Sequence, residues 1–187
     1  MRRADAYKIL NTYLKNKNLI KHCLSCEAAM KGICTYLNAD ANQEEIEKWG
    51  ITGLLHDADY EIYGDNPARH GIVITEKENL PEDIGYAINS HNFQNTKIEP
   101  KSQMDWAITT CDQLTGLIVA AILISPSKKI ADITPEFVLK RFGEKAFAKG
   151  ADRSVIQLCE EKLNIPLPKF VEIVLDSMKS ISSELGL

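Results

Sequence analysis

The sequence predicts an all-α protein, and three observations carry that reading. Apolar residues recur at three- and four-residue spacings along most of the chain, and no segment alternates like a half-buried strand. Proline and glycine are few, and several stand where a helix would start or stop, as at Pro67, Pro81, Ser125-Pro126 and Ile165-Pro166.

A first helix is expected from about Ala4 to Lys15. A second covers Asn18 to Leu37, where Leu19, Cys23, Cys26, Met30, Ile33 and Leu37 form one continuous buried face. A third runs from about Asn42 to His56 and carries Ile46, Trp49, Gly53 and Leu54 on a face that includes Asp57. The segment Asp59 to Asn66, with Gly64, Asp65 and Asn66, reads as a loop. Pro67 suits a first helical turn and opens a helix to about Asn79; Pro81 opens another that ends near His91. After a linker at Glu99 to Ser102, a long helix reaches Ile124 and stops before Ser125-Pro126. Pro135 to Leu187 reads as three or four amphipathic helices, separated by Gly143, Gly150 and the Ile165 to Pro168 turn. The expected organisation is a core over residues 1–125, with residues 126–187 as a helical extension packed on the same domain.

The composition is that of a globular chain able to bury a real core, with 44% hydrophobic and 26% charged residues. A formal net charge of −4 argues against a general binder of DNA or of anionic membranes. Basic residues are nevertheless in excess between Lys128 and Arg153. That excess reads first as solvated helix faces, and alternatively as an anion-attracting rim. Five cysteines at irregular spacing suit a reducing compartment better than a disulfide framework. Cys23-x-x-Cys26 has no second such pair and lies on the apolar stripe, so both are expected to be small buried hydrophobes. No signal-peptide apolar region opens the chain, and the longest apolar run, Leu114 to Ile124, falls short of the about 20 residues that cross a bilayer. A soluble, cytoplasmic protein is the expectation.

The chemistry-bearing residues are few. His56-Asp57 ends an apolar helix, so the pair is either exposed at the helix end or held in a partly buried polar site. Asp112 shares a face with Ile108, Cys111 and Thr115 in the long helix, and a buried carboxylate needs an ion-pair partner or a metal. His22 flanks the stripe of the second helix; alone it would read as a satisfied core histidine, and His70 and His91 are equally plain one by one. Together, all four histidines fall on different helices, near interior faces or helix ends. Imidazole with carboxylate suits Mn, Fe, Co, Ni or Zn better than Ca.

The order His22…His56-Asp57…Asp112 resembles the H…HD…D motif of the HD superfamily, over about Leu19 to Ile124. The resemblance implies an HD-domain helical bundle and a metal-dependent phosphohydrolase in which His22, His56, Asp57 and Asp112 hold one divalent cation. His70 and His91 lie where members with two metals carry further histidines, as in the HD-GYP phosphodiesterases and the HD-type dinucleoside tetraphosphate hydrolases, and would complete a second site. Asp57 and His56 would then be the residues on which catalysis depends most directly. Mg joins the candidate metals, and the implied substrate is a small phosphate ester such as a nucleotide. Asp59, Glu61 or backbone carbonyls could orient the imidazoles, and Arg153 with Lys149 or Lys145 could clamp phosphate. The chain departs from the nucleotidases and (p)ppGpp hydrolases by having Tyr60 where they carry Glu. It lacks a Gly-Tyr-Pro signature after His91, and Ala58-Asp59 replaces the frequent Ile-Gly. A di-iron oxygenase using the same ligands, and a metal-stabilised regulatory module, are the alternatives.

Overall fold

The computed structural model describes all of Met1 to Leu187 and contains helices and turns but no strand. Helix α1 (Arg3–Tyr13) buries Ala6 and Leu10 one turn apart. Helix α2 (Lys17–Leu37) starts where the Asn16 carboxamide accepts the backbone N–H groups of Asn18 and Leu19. Its buried stripe includes Cys23, Cys26, Met30 and Ile33. Helix α3 (Gln43–Leu55) is capped by Asn42, whose side chain accepts from Glu45 N at 2.9 Å. Helices α2 and α3 meet closely at Gly53, where a Cβ would stand 2.5 Å from the carbonyl oxygen of Cys26. Only glycine permits that approach, and it brings the end of α3 against the middle of α2.

Beyond α3 the chain turns through residues 56–59 into a short helix, α4 (Tyr60–Tyr63), inside the segment expected to be a loop. The helix expected from Pro67 to Asn79 is largely replaced by turns, and only α5 (Val73–Lys77) is helical. Three contacts explain the difference. Gly71 has a φ of +85°, which no right-handed helix accommodates. The Pro67 carbonyl, which a helix would offer to the Gly71 amide, accepts from the Asn92 carboxamide instead. The amides of Gly71 and Ile74 donate to the Asp59 carboxylate.

Helices α6 (Glu82–His91) and α7 (Phe93–Thr96) lead to α8 (Gln103–Ile124). Ser102 and Asp105 form a reciprocal capping box at the start of α8, and the helix ends before Pro126, as expected. By length and composition α8 could span a bilayer, yet most of it is buried within the bundle. Helices α9 (Pro135–Phe142), α10 (Arg153–Lys162), α11 (Leu167–Lys179) and α12 (Ser182–Leu185) complete the chain. Thr134 and Asp152 cap α9 and α10. One hydrophobic cluster takes in Leu10, Met30, Leu54, Ile108 and Ile118 together with Val138, Ile156, Phe170 and Leu175. The C-terminal helices therefore share a core with the rest, α10 packing on α8 and α11 on α2.

Candidate metal centre

The six residues singled out in the sequence converge at one point. His22 comes from α2, His56 and Asp57 from the turn after α3, His70 from the turns before α5, His91 from the end of α6 and Asp112 from α8. His56 and Asp57 adjoin in sequence, and adjacent residues reach one point because it lies beyond the end of α3 rather than beside it.

Asp57 is at the middle. Its Oδ1 stands 3.0 Å from His70 Nε2, 3.5 Å from His56 Nε2 and 3.6 Å from His91 Nε2, while its Oδ2 stands 3.4 Å from His22 Nε2. Asp112 Oδ1 lies 2.9 Å from His22 Nε2 and 3.5 Å from His56 Nε2. The donors fall into two groups: His22, His56 and Asp112, and Asp57, His70 and His91. Asp57 touches both, so its carboxylate is placed to bridge.

Each imidazole is oriented by what its other nitrogen meets. His56 Nδ1 is 2.8 Å from Gly53 O, and His91 Nδ1 is 2.6 Å from Ile88 O. Carbonyl oxygens only accept, so both rings carry their proton on Nδ1 and present Nε2 to the site. His70 Nδ1 donates to Asp59 Oδ1 at 2.8 Å. His22 Nδ1 is 3.3 Å from the Thr115 hydroxyl, which itself donates to the carbonyl of Asp112. This is how metal-ligating imidazoles are held: one nitrogen fixed by an acceptor, the other free to ligate. The clearest sign is His56 Nε2, fully buried and without any hydrogen-bond partner. Such an atom is costly to bury unless a cation takes its lone pair.

Electrostatics point the same way. Burial alone would raise the carboxyl of Asp57, yet the imidazoles of His56, His22, His70 and His91 gathered round it hold it well below the usual range. Asp112 is likewise lowered against its burial, by His22 and His56. Burial would lower His70, but Asp57 and Asp59 outweigh it and lift the imidazole to about 10. Two carboxylates among four imidazoles thus form a site that demands positive charge.

The centre opens on a hollow of about 440 Å³. Leu19, Tyr60, Pro67, Asn92, Gln113 and Gly150 line it beside the ligands, and no lysine or arginine does. The Tyr60 ring stands edge-on to His70, with centroids 5.1 Å apart, and is 43% exposed.

Residues 19–121 match the family model of the HD domain, more than half of the chain. The protein belongs to the HD domain family. HD domains are all-helical and typically act as metal-dependent hydrolases, and the buried His/Asp cluster suits a divalent metal. Comparison with the curated proteins and with the solved structures gives no significant match.

Around this HD core, three expectations meet a different placement. Glu61 does not orient an imidazole: its carboxylate accepts the backbone amides of Lys15 and Asn16 and fastens α4 to the α1–α2 junction. Asp59 takes the orienting role for His70. Arg153 does not face the centre. Its guanidinium donates to the carbonyls of Ala148 and Ala151 at 2.6 and 2.7 Å, and also to those of Phe147 and Phe142. It is spent on folding the 142–151 loop. Lys145 and Lys149 line a second hollow with Arg153, and that hollow shares only Gly150 with the metal-facing one.

Two neighbours of the ligand cluster are not visible as such in the sequence. Gln113 donates to Asp112 Oδ2 at 2.9 Å and accepts from Asp152 N at 3.0 Å, so it ties a ligand to the start of α10. Cys26, read as an apolar stripe residue, lies beside His22 with Sγ 3.9 Å from Nε2. Its position one helical turn beyond a histidine was the available signal.

Proposed function

We propose that this HD domain is a phosphohydrolase acting on a nucleotide or related small phosphate ester through two adjacent divalent cations. The observation that carries the reading is the Asp57 carboxylate, whose two oxygens face different sets of imidazoles. His22, His56 and Asp112 would hold one cation, His70 and His91 the other, and Asp57 would bridge them. Cations so held supply the acidity that makes water a nucleophile near neutral pH and the charge that offsets an in-line phosphoryl centre.

The chain's own groups do the rest. Asp59, Gly53 O, Ile88 O and Thr115 fix the imidazoles so that no reorganisation is needed during reaction. The hollow has the volume of a small-molecule site, and Tyr60 at its edge offers an aromatic face to a base. With no lysine or arginine lining it, phosphate charge would be met by the cations themselves. Lys145 and Lys149, one loop away, would attract an anionic substrate to the rim rather than bind it.

The test is a phosphatase screen over nucleotides, dinucleoside polyphosphates and cyclic dinucleotides, supplemented in turn with Mn, Fe, Co, Ni, Zn and Mg. Asp57→Ala serves as the control and should abolish turnover while the fold survives. Metal-independent turnover, or turnover unchanged in Asp57→Ala, would sink the proposal. The histidine-rich donor set also suits two irons, so oxygen consumption by the iron-loaded protein is measured alongside; hydrolysis requires none. A folded, metal-loaded protein that turns over nothing would instead be a metal-stabilised regulatory module.

A further inference from the structure

The thiol of Cys26 has no role in the centre as described, yet it shares its space. Cys26 follows His22 by four residues on α2, so both side chains leave the same face of the helix. Its Sγ, His22 Nε2, His56 Nε2 and Asp112 Oδ1 all lie within 4.8 Å of one another. Cys26 is fully buried. Within the same group, His56 Nε2 is buried and without a hydrogen-bond partner, so the cluster already contains one atom that calls for a cation.

The spacing suits an ion that takes these three donors and Cys26 together with the bridging Asp57. Bonds of about 2.0–2.3 Å to nitrogen, oxygen and sulfur, at the angles of five-coordination, place neighbouring ligand atoms roughly 2.8–4.0 Å apart. The observed separations are 2.9 Å for His22–Asp112, 3.5 Å for His56–Asp112 and 3.9 Å for His22–Cys26. We infer that Cys26 is a sulfur ligand of the first cation, which makes the two metal positions chemically unequal. The inference rests on the proposed metal centre. On coordination the S–H bond would break, its proton would pass to solvent, and the sulfur lone pair would form the bond to the cation, with no change in oxidation state. With the bridging Asp57, an N₂O₂S position selects borderline-soft ions such as Zn or Co, whereas Asp57, His70 and His91 offer the second position only nitrogen and oxygen. The competing role for the thiol is local: Sγ is 3.4 Å from the Thr115 hydroxyl, within reach of a weak hydrogen bond.

Cobalt separates the two roles. The full-length metal-free protein, kept reduced with a non-thiol reductant, is titrated anaerobically with Co²⁺ and its spectrum followed. The first equivalent should produce an intense near-ultraviolet thiolate-to-cobalt band. Cys26→Ser should bind cobalt without that band, with affinity for the first equivalent lower by at least about tenfold, the lower end of what is lost with groups that merely orient a ligand. Cys23→Ser, the other cysteine of the pair, should retain it. Cobalt bound by the wild-type protein without the band overturns the inference, and so does a band that survives in Cys26→Ser. If Cys26→Ser does not fold, the wild-type spectrum and Cys26→Ala decide. A folded wild-type protein that binds no cobalt overturns the metal centre itself, an outcome distinct from cobalt bound without sulfur.

Discussion

His70 Nε2 and His91 Nε2 stand 3.3 Å apart, and neither ring has its Nδ1 free. Asp59 holds one and the Ile88 carbonyl the other, so the neutral rings turn lone pairs toward each other. A proton on one ring, or a cation shared between them, removes the repulsion. Replacing His91 by Ala should therefore reduce bound metal from two ions per chain to one and leave the first in place. Elemental analysis of the purified variant checks it.

Asp59 is fully buried and accepts from His70 Nδ1, Gly71 N at 3.0 Å and Ile74 N at 3.2 Å. Asp59→Asn keeps one acceptor oxygen but loses the charge that steadies His70. The affinity for the second metal should drop by about ten- to a hundredfold. Asp59→Ala strands two amides and should cost a further 1–3 kcal/mol or so of stability. Metal titration and urea melts of both variants read the two effects separately.

Gly53→Ala puts a methyl group 2.5 Å from Cys26 O and 2.8 Å from Glu27 N, both backbone atoms that cannot swing aside. The helices must separate, so a loss of about 1–3 kcal/mol is expected, the usual cost of overpacking. Because His22 and His56 sit on either side of that contact, first-metal affinity should fall with it. An unaltered melting curve would mean that the two helices are not held together here.

Metal binding should release protons. In the metal-free protein the folded His70 is lifted from 6.5 to about 10, so at neutral pH an incoming cation displaces its proton. Apparent metal affinity should rise with pH up to that value, and calorimetry in buffers of different ionisation enthalpy would count the protons. Stability follows with its own sign. The contribution of protonated His70 is complete below its ordinary value of 6.5 and is lost as pH climbs through about 10. Loading with metal should remove that dependence.

The cluster was legible in the sequence because motif order and helix context agree at His22, His56, Asp57 and Asp112. His70 was legible as a member of the cluster but not as a turn residue. Periodicity reads Pro67 to Asn79 as helix, whereas the Asp59 carboxylate, twelve residues before Gly71, captures the Gly71 amide. Such long-range capture leaves no periodic trace. Arg153 fails for a related reason: its charge shows in the sequence, but the four carbonyls that consume it exist only once the 142–151 loop has folded. Cys26 and Gln113 were hidden by their types, since a cysteine on an apolar stripe and a glutamine on a long helix look ordinary until the neighbouring helices are in place.

The Gln113 link has a consequence for dissecting the protein. A fragment ending at residue 125 would contain every histidine and aspartate of the centre, and still be the wrong piece to purify. Asp152 would be gone, leaving the Gln113 carbonyl oxygen without its amide donor and Asp112 held by a side chain with no anchor beyond it. The faces of α8 and α2 now under α10 and α11 would meet water, inviting such fragments to cluster with one another. Weak metal binding by that fragment would report the missing helices, not the quality of the ligands.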